Sequence, residues 1–238
     1  MTYLQFHFVF LVPLLVIMSV LVARSGALTR RRAAGTAILV VVALIYSTPW
    51  DNYLVYRSVW SYGADRVIAT IGYVPIEEYL FFILQTLLTA LIYSYVARNT
   101  TFATVQARGL TLRLVGIIAF GVLTAVGVAF LYFDSTLYLG LITAWAAPIL
   151  ALQWGFGAEM FFKYGRIWVR TIIPLTIYLW FADATAIRLG IWDIADATTT
   201  GIELFGLPIE EALFFLVTTV FVGQGMLLFD GWKPHKTQ

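Results

Sequence analysis

The chain has 238 residues, of which 61% are hydrophobic, 16% aromatic and only 12% charged. A soluble domain carries roughly 25% charged residues. With so few charges, a soluble form of this chain would leave large apolar patches in water, and the same numbers exclude disorder. The absence of cysteine excludes disulfides, thiolate metal sites and cysteine nucleophiles. The composition therefore predicts an all-α, polytopic membrane protein.

Seven apolar runs follow one another along the chain, most of them close to the ~20 residues that cross a bilayer as a helix. They lie at residues 3–23, 33–48, 76–96, 112–132, 136–154, 167–182 and 208–229. None of them alternates as the strands of a membrane β-barrel do. The first run is interpreted as a span rather than a removable signal peptide, because arginines follow it and no basic segment precedes it. We therefore expect seven transmembrane helices.

The basic residues concentrate on one side of these predicted spans. If the N-terminus lies outside, the outer loops hold only Arg57, Arg66 and Arg188. The inner side then holds the other twelve basic residues, which are Arg24, Arg30, Arg31, Arg32, Arg98, Arg108, Arg113, Lys163, Arg166, Arg170, Lys233 and Lys236. The positive-inside rule therefore predicts an outer N-terminus and an inner C-terminus. All thirteen acids except Glu159 and Asp230 then fall in the outer layer, where we expect any chemistry to take place.

One segment of the sequence occurs twice. Residues 75–82, Pro-Ile-Glu-Glu-Tyr-Leu-Phe-Phe, recur at 208–215 as Pro-Ile-Glu-Glu-Ala-Leu-Phe-Phe, and Asp51 and Trp60 upstream match Asp183 and Trp192. The match places spans 1 to 3 on spans 5 to 7 and leaves span 4 without a counterpart. Because three spans reverse the chain direction, the extra span restores it, which predicts a 3+1+3 arrangement of parallel repeats. The predicted units are residues 1–97 and 135–238, joined by a linker helix within 98–134.

Each copy of the repeat opens a helix with two glutamates. A charged helix start is one interpretation, since proline and acids suit the first turn, but identical copies favour a function. A carboxyl group in apolar surroundings resists ionisation and can act as an acid near neutrality, and aromatic faces beside it stabilise a cation. The pattern therefore indicates protonation of an olefin followed by carbocation chemistry. The catalytic candidates are Glu77, Glu78, Glu210 and Glu211, and the candidates that line the cation's path are Phe81, Phe82, Phe214 and Phe215.

Two aspartates stand upstream of the motifs, at the ends of spans 2 and 6. Asp51 and Asp183 are expected to pair with arginines, such as Arg57 and Arg188 in the same outer loops, or to orient the glutamates. The tryptophans and tyrosines of these loops fit an interfacial aromatic belt. His7 is expected to be structural or interfacial.

The duplicated Pro-x-Glu-Glu with Phe-Phe, the upstream Pro-Trp-Asp-Asn at 49–52 and the three-span units resemble the membrane carotenoid cyclases of the heterodimeric type. The resemblance covers almost the whole chain and corresponds to the fused form of that family, with span 4 as the linker. It implies cyclisation of the ψ end groups of lycopene to β-carotene through γ-carotene, in the cell membrane, with no cofactor or cosubstrate. One motif glutamate would protonate the terminal double bond, and a base would remove a ring proton. The sequence does not say which glutamate is the acid, whether the ring is β or ε, or whether the units share one site.

Other functions are weighed against this resemblance. Sugar transporters of the SWEET type also have a parallel 3+1+3 arrangement and remain the alternative, although paired acids beside aromatic residues suit chemistry on a hydrocarbon better. A retinal protein needs a lysine in the middle of a span, and the lysines here lie at the inner edge or tail. A membrane prenyltransferase needs aspartate-rich magnesium sites, for which Asp193 and Asp196 are a poor candidate. No metal site and no nucleic-acid partner are expected.

Overall fold

The computed structural model describes residues 1–102 and 109–231. Within these ranges seven helices are long and apolar enough to cross a membrane, which confirms the prediction of a helical protein with seven candidate spans. The helices are α1 (Tyr3–Ser25), α2 (Arg30–Tyr56), α3 (Ile76–Val96), α4 (Leu110–Phe130), α5 (Leu137–Lys163), α6 (Gly165–Arg188) and α7 (Ile209–Gly231). Residues 103–108 of the predicted linker and 232–238 of the predicted second unit lie outside the described residues, and so do Arg108, Lys233 and Lys236.

Several helices are longer than their apolar runs predict. Helix α2 continues through Pro49 to Tyr56, although its apolar run ends near residue 48, and α6 ends at Arg188 rather than near residue 182. The segments around Asp51 and Asp183, which were predicted as loop, are therefore helical. The reason is that both aspartates are buried against neighbouring helices instead of being solvated at a helix end. A run of apolar residues ends at the first charge, whereas a helix does not have to.

A short hairpin with two-residue strands precedes each of the two helices that begin with the duplicated acidic motif. Strands β2 (Thr70–Ile71) and β3 (Val74–Pro75) pair before α3, and β5 (Glu203–Leu204) and β6 (Leu207–Pro208) pair before α7. Pro75 is the last strand residue and the N-cap of α3, rather than a residue of its first turn. The turn residue Gly72 has φ +68°, and a Cβ there would collide with Asn52 Oδ1, which accepts a hydrogen bond from the Tyr73 amide at 2.9 Å. Only glycine fits this turn.

The α2–α3 and α6–α7 loops, one from each sequence copy, pair with each other. Strand β1 (Trp60–Tyr62) runs antiparallel to strand β4 (Trp192–Ile194), and the register pairs Trp60 with Ile194, Ser61 with Asp193 and Tyr62 with Trp192. The matching tryptophans are the first residues of the two strands. The register is therefore the one that a local two-fold axis through the Ser61–Asp193 pair would give. This pairing brings the first and second halves of the chain together above the helices.

Helix α7 is central and contacts α2, α3, α5 and α6, whereas α4 packs mainly on α5. The α4–α5 contact depends on a close approach, because a Cβ at Gly127 would lie 2.6 Å from the Ala144 backbone nitrogen. The ends of the helices far from the hairpins are joined by ion pairs. Asp230 accepts from Arg32 Nε at 2.8 Å, and Glu159 accepts from Arg113. These are the two acids that the charge pattern assigns to the inner, arginine-rich side.

Candidate active site

The second glutamate of each motif lines a single cavity. Glu78 and Glu211 lie in the first turns of α3 and α7, where the positive end of the helix dipole favours an acidic group. They are 4% and 2% exposed. The cavity is formed by elements of both halves of the chain, and its lining residues are Tyr3, Trp60, Tyr62, Glu78, Phe81, Asp183, Trp192, Glu211, Phe214 and Phe215. The two copies of the motif therefore meet at one place.

The cavity is small in this structure. About 20 Å³ is open to the centre of a water-sized sphere. A single water needs roughly 10–15 Å³ on the same measure, so the space holds one or two waters. A six-carbon ring with its methyl groups is far larger than this. Any hydrocarbon substrate must therefore enter by displacing the aromatic walls.

Tyrosine hydroxyls hold both cavity glutamates. Tyr3, at the start of α1, donates to Glu78 Oε2 at 2.6 Å, and Tyr138, at the start of α5, donates to Glu211 Oε1 at 2.7 Å. Distances near 2.6 Å are typical of a hydroxyl that donates to a carboxylate. Tyr62 adds a longer contact of 3.4 Å to Glu78 Oε2. Burial and the Glu78 carboxyl raise the pKa of the Tyr62 phenol well above its usual value, so this phenol keeps its proton and acts as a donor.

The sequence does not single out Tyr3 and Tyr138, and it assigns Tyr62 to the interfacial aromatic residues of the loops. A signal was present, because Tyr3 and Tyr138 occupy the same place at the starts of spans 1 and 5, and each is followed by leucine. Pairing them requires a further two-residue insertion, because 135 residues separate Tyr3 from Tyr138 and 133 separate Pro75 from Pro208.

The first glutamate of each motif has different partners. Glu77 Oε1 accepts from the Ile68 amide at 2.9 Å. Glu210 Oε1 accepts from the amide and the hydroxyl of Thr200, at 2.7 and 2.8 Å. Both side chains are buried, but they face the loop segment before their own hairpin instead of the cavity. The structure thus separates the four candidates into two cavity carboxyls and two carboxyls that hold loops.

Three of the four predicted phenylalanines line the cavity. Phe81 lies across from Phe215, with ring centroids 5.9 Å apart in an edge-to-face arrangement, and Phe214 and Phe215 lie 5.2 Å apart. Phe82 is buried outside the cavity lining and packs edge-to-face on Tyr79. Edge-to-face packing leaves ring faces available to a cation in the space between them.

The two predicted aspartates lie beside the cavity glutamates. Asp183 Oδ1 accepts from the indole N–H of Trp192 at 2.9 Å. Asp51 is 0% exposed, and within the described ranges neither of its carboxyl oxygens has a hydrogen-bond partner. Both aspartates interact electrostatically with Glu78 and Glu211. Four acidic side chains therefore share one buried region between the two halves.

The predicted partners of these aspartates lie elsewhere. Arg57 Nη1 donates to the Tyr53 hydroxyl at 2.7 Å, and Arg188 Nη2 donates to the Phe205 carbonyl at 3.1 Å. Both of these hydrogen bonds are exposed, whereas the aspartates are buried, so the idea that these arginines pair with the aspartates was wrong. Among residues 1–102 and 109–231, no group of three or more histidine, aspartate or glutamate side chains is arranged to hold a metal ion.

Comparisons with known proteins agree with the motif. The family model described as lycopene cyclase matches residues 1–96 and 135–228. The chain is 45% identical to the lycopene beta-cyclase of Halobacterium salinarum over 230 residues, which cover 96% of this chain and 95% of that protein. It is 35% and 36% identical to the bifunctional lycopene cyclase/phytoene synthases of Arthroderma gypseum and Phycomyces blakesleeanus, and the matched parts are 40% and 38% of those longer proteins. No solved structure gives a significant match.

These matches confirm the resemblance that the duplicated Pro-Ile-Glu-Glu motif carries, and they give no support to the transporter alternative. The family match covers well over half of the chain. The chain therefore belongs to the lycopene cyclase family.

Proposed function

We propose that this chain is a lycopene beta-cyclase that converts lycopene to β-carotene through γ-carotene. The observation that carries the proposal is that Glu78 and Glu211, one from each copy of the motif, line the same buried cavity with Phe81, Phe214 and Phe215. An acid, a base and aromatic faces in a small buried space are what a proton-initiated cyclisation requires.

The reaction balances without a cosubstrate. The acid gives its proton to the terminal double bond of a ψ end group, and the cation that forms is attacked by the double bond along the chain, which closes a six-membered ring. The new cation lies on a ring carbon, and the base removes a proton next to it to form the ring double bond. One proton enters and one leaves, so the product is an isomer of the substrate. The phenylalanine faces stabilise the cations through their ring quadrupoles.

A single cavity serves both ends of the substrate in turn. Trp60 of the first half packs on Tyr138 of the second, and Trp192 of the second half packs on Tyr3 of the first, with ring centroids 5.9 and 4.8 Å apart. Each glutamate is thus enclosed by residues from both halves, and neither half contains a complete site. γ-Carotene is then the product of the first passage and the substrate of the second.

The remaining candidates position this site. Glu77 and Glu210 accept hydrogen bonds from the loop segments that precede the two hairpins. Since α3 and α7 begin directly after these hairpins, the two glutamates fix the starts of the helices. Asp183 holds Trp192 in the cavity wall. Asp51 is a buried acidic neighbour of both cavity glutamates.

We also propose the 3+1+3 plan for the architecture, with units at 1–97 and 135–238, a linker helix within 98–134, an outer N-terminus and an inner C-terminus. What supports the repeat is that Tyr3–Glu78 and Tyr138–Glu211 are corresponding contacts, and that the family model leaves out the segment between residues 96 and 135. The arginine-rich helix ends support the orientation. The site then lies near the outer surface of the cell membrane, where a lipid-dissolved carotenoid can present an end group.

The experiment is expression in a host that accumulates lycopene. We expect the pigment to change from lycopene to β-carotene, with γ-carotene as the intermediate. The double variant E78Q/E211Q is the matched control, because it keeps the size of both side chains and removes both acids. Lycopene that stays unchanged, although the wild-type chain is folded in the membrane, would overturn the proposal.

A further inference from the structure

The local two-fold arrangement of the outer strands is broken at one position in the cavity wall. Trp60 and Trp192 open β1 and β4, and Ser61 faces Asp193 at the centre of the pairing. The third residue of β1 is Tyr62, whereas the third residue of β4 is Ile194. Tyr62 lines the cavity, and Ile194, which occupies the corresponding position, has no hydroxyl.

This difference gives the two cavity glutamates unequal surroundings. Glu78 Oε2 accepts from two phenols, Tyr3 at 2.6 Å and Tyr62 at 3.4 Å. Glu211 Oε1 accepts from one phenol, Tyr138 at 2.7 Å. The Trp60 indole N–H also lies near Glu211, but within the described residues it makes no hydrogen bond. An oxygen that accepts from two donors has both lone pairs engaged, which favours the ionised carboxyl group. Because both phenols bind Oε2, the other oxygen of Glu78 is the one that can take a proton.

We propose that Tyr62 makes Glu78 the base of the cyclisation and leaves Glu211 as the acid. The proposal rests on the cyclase function proposed above and assigns different roles to two carboxyls that come from identical motifs. Tyr62 is a positioning residue in this assignment, since it acts through Glu78. Tyr138 supports the acid, because its hydrogen bond stabilises the carboxylate that forms as Glu211 gives up its proton.

The two roles have different effects on the product. The cyclised cation has three neighbouring carbons that carry protons. Loss of the proton from the ring carbon that bears the polyene gives a β ring, loss from the ring methylene gives an ε ring, and loss from the methyl group gives an exocyclic double bond. The position of the base therefore decides the ring type, whereas the acid has acted before this choice and affects only the rate.

The test compares two conservative variants in membranes that convert lycopene. In Y62F, we expect ε or exocyclic end groups beside β rings, because the Glu78 carboxylate loses the second donor that fixes its position. In Y138F, we expect β rings alone, formed roughly 10- to 150-fold more slowly, since a hydrogen bond to a charged group contributes roughly 1.5–3 kcal/mol. Y178F is the matched control, because Tyr178 donates to the Phe10 carbonyl outside the cavity lining, and it should behave as wild type.

A second pair of variants shortens each carboxyl by one methylene. E78D should change the ring type, and E211D should slow β-ring formation without changing it. The assignment is overturned if the Glu211 or Tyr138 variants alter the ring type while the Glu78 and Tyr62 variants do not, or if all four variants make only β rings. If the wild-type chain makes no cyclic product, the proposed function itself fails, which is a different result from any of these.

Discussion

Removing either cavity carboxyl singly distinguishes one shared site from two independent sites. In E78Q, the amide oxygen can still accept from Tyr3 and Tyr62, and in E211Q it can still accept from Tyr138. A hydrogen bond to a charged acceptor contributes about 1.5–3 kcal/mol and a neutral one about 0.5–1.5 kcal/mol. We therefore expect the free energy of unfolding to fall by at most about 1–1.5 kcal/mol in E211Q and about 2–3 kcal/mol in E78Q, so that both variants remain folded.

The effect on catalysis is much larger than the effect on stability. A general acid or base contributes about 10²–10⁴ in rate. Because an end group in the shared cavity needs both carboxyls, each variant should slow formation of the first and the second ring by at least about a hundredfold. Two independent sites would behave differently, because a variant with one intact site would make γ-carotene at close to the wild-type rate.

The assay is a time course of carotenoids extracted from membranes and separated into lycopene, γ-carotene and β-carotene. E203Q is the matched control, since Glu203 is an exposed glutamate on β5 and undergoes the same change of charge. Rapid accumulation of γ-carotene by E78Q or by E211Q would refute the shared site. Equal loss of both rings in both variants, with E203Q unaffected, is the expected result.

Two further predictions concern the loops and the orientation. In E210Q the amide oxygen can still accept from the amide and hydroxyl of Thr200, but a neutral acceptor forms weaker hydrogen bonds than a carboxylate. We therefore expect a lowered Tm in detergent and slower cyclisation with unchanged ring type, whereas complete loss of cyclisation in folded protein would make Glu210 catalytic. Since the chain has no cysteine, F205C places a single thiol on the hairpin before α7, where Phe205 is 89% exposed, and R24C places one at the opposite helix ends. An impermeant thiol reagent applied to intact cells should label F205C and not R24C, and the reverse pattern would contradict the proposed orientation.

The sequence predicted the number of helices better than their ends. Bilayer thickness requires long apolar runs, so the runs locate the spans. Arg32 and Asp51 are charged and therefore lie outside the apolar run at 33–48, yet both belong to α2. Arg32 is paired with Asp230, and Asp51 is buried beside the site. Hydropathy measures each residue alone, whereas the helix ends here depend on partners far along the chain.

The motif predicted the four glutamates but not which of them share a cavity. In a helix, Glu77 and Glu78 point about 100° apart, and their sequence gives no preference between the two faces. The packing of α1 and α5 decides it, by placing Tyr3 and Tyr138 against the second glutamate of each motif. Tyrosine near a membrane surface is usually an interfacial residue, so the signal for these two phenols was only their matching place at the starts of spans 1 and 5.

A duplicated unit supplies identical groups, whereas cyclisation needs an acid and a base that differ. In this chain the carboxyls and their first phenol donors occur in both copies, so neither of these can distinguish Glu78 from Glu211. Within the cavity wall, Tyr62 against Ile194 is a position where the copies diverge in hydrogen-bonding capacity. The residues that match between the two halves build the scaffold of the site. A residue that differs between the halves and lies beside the two carboxyls is the one expected to give them different roles.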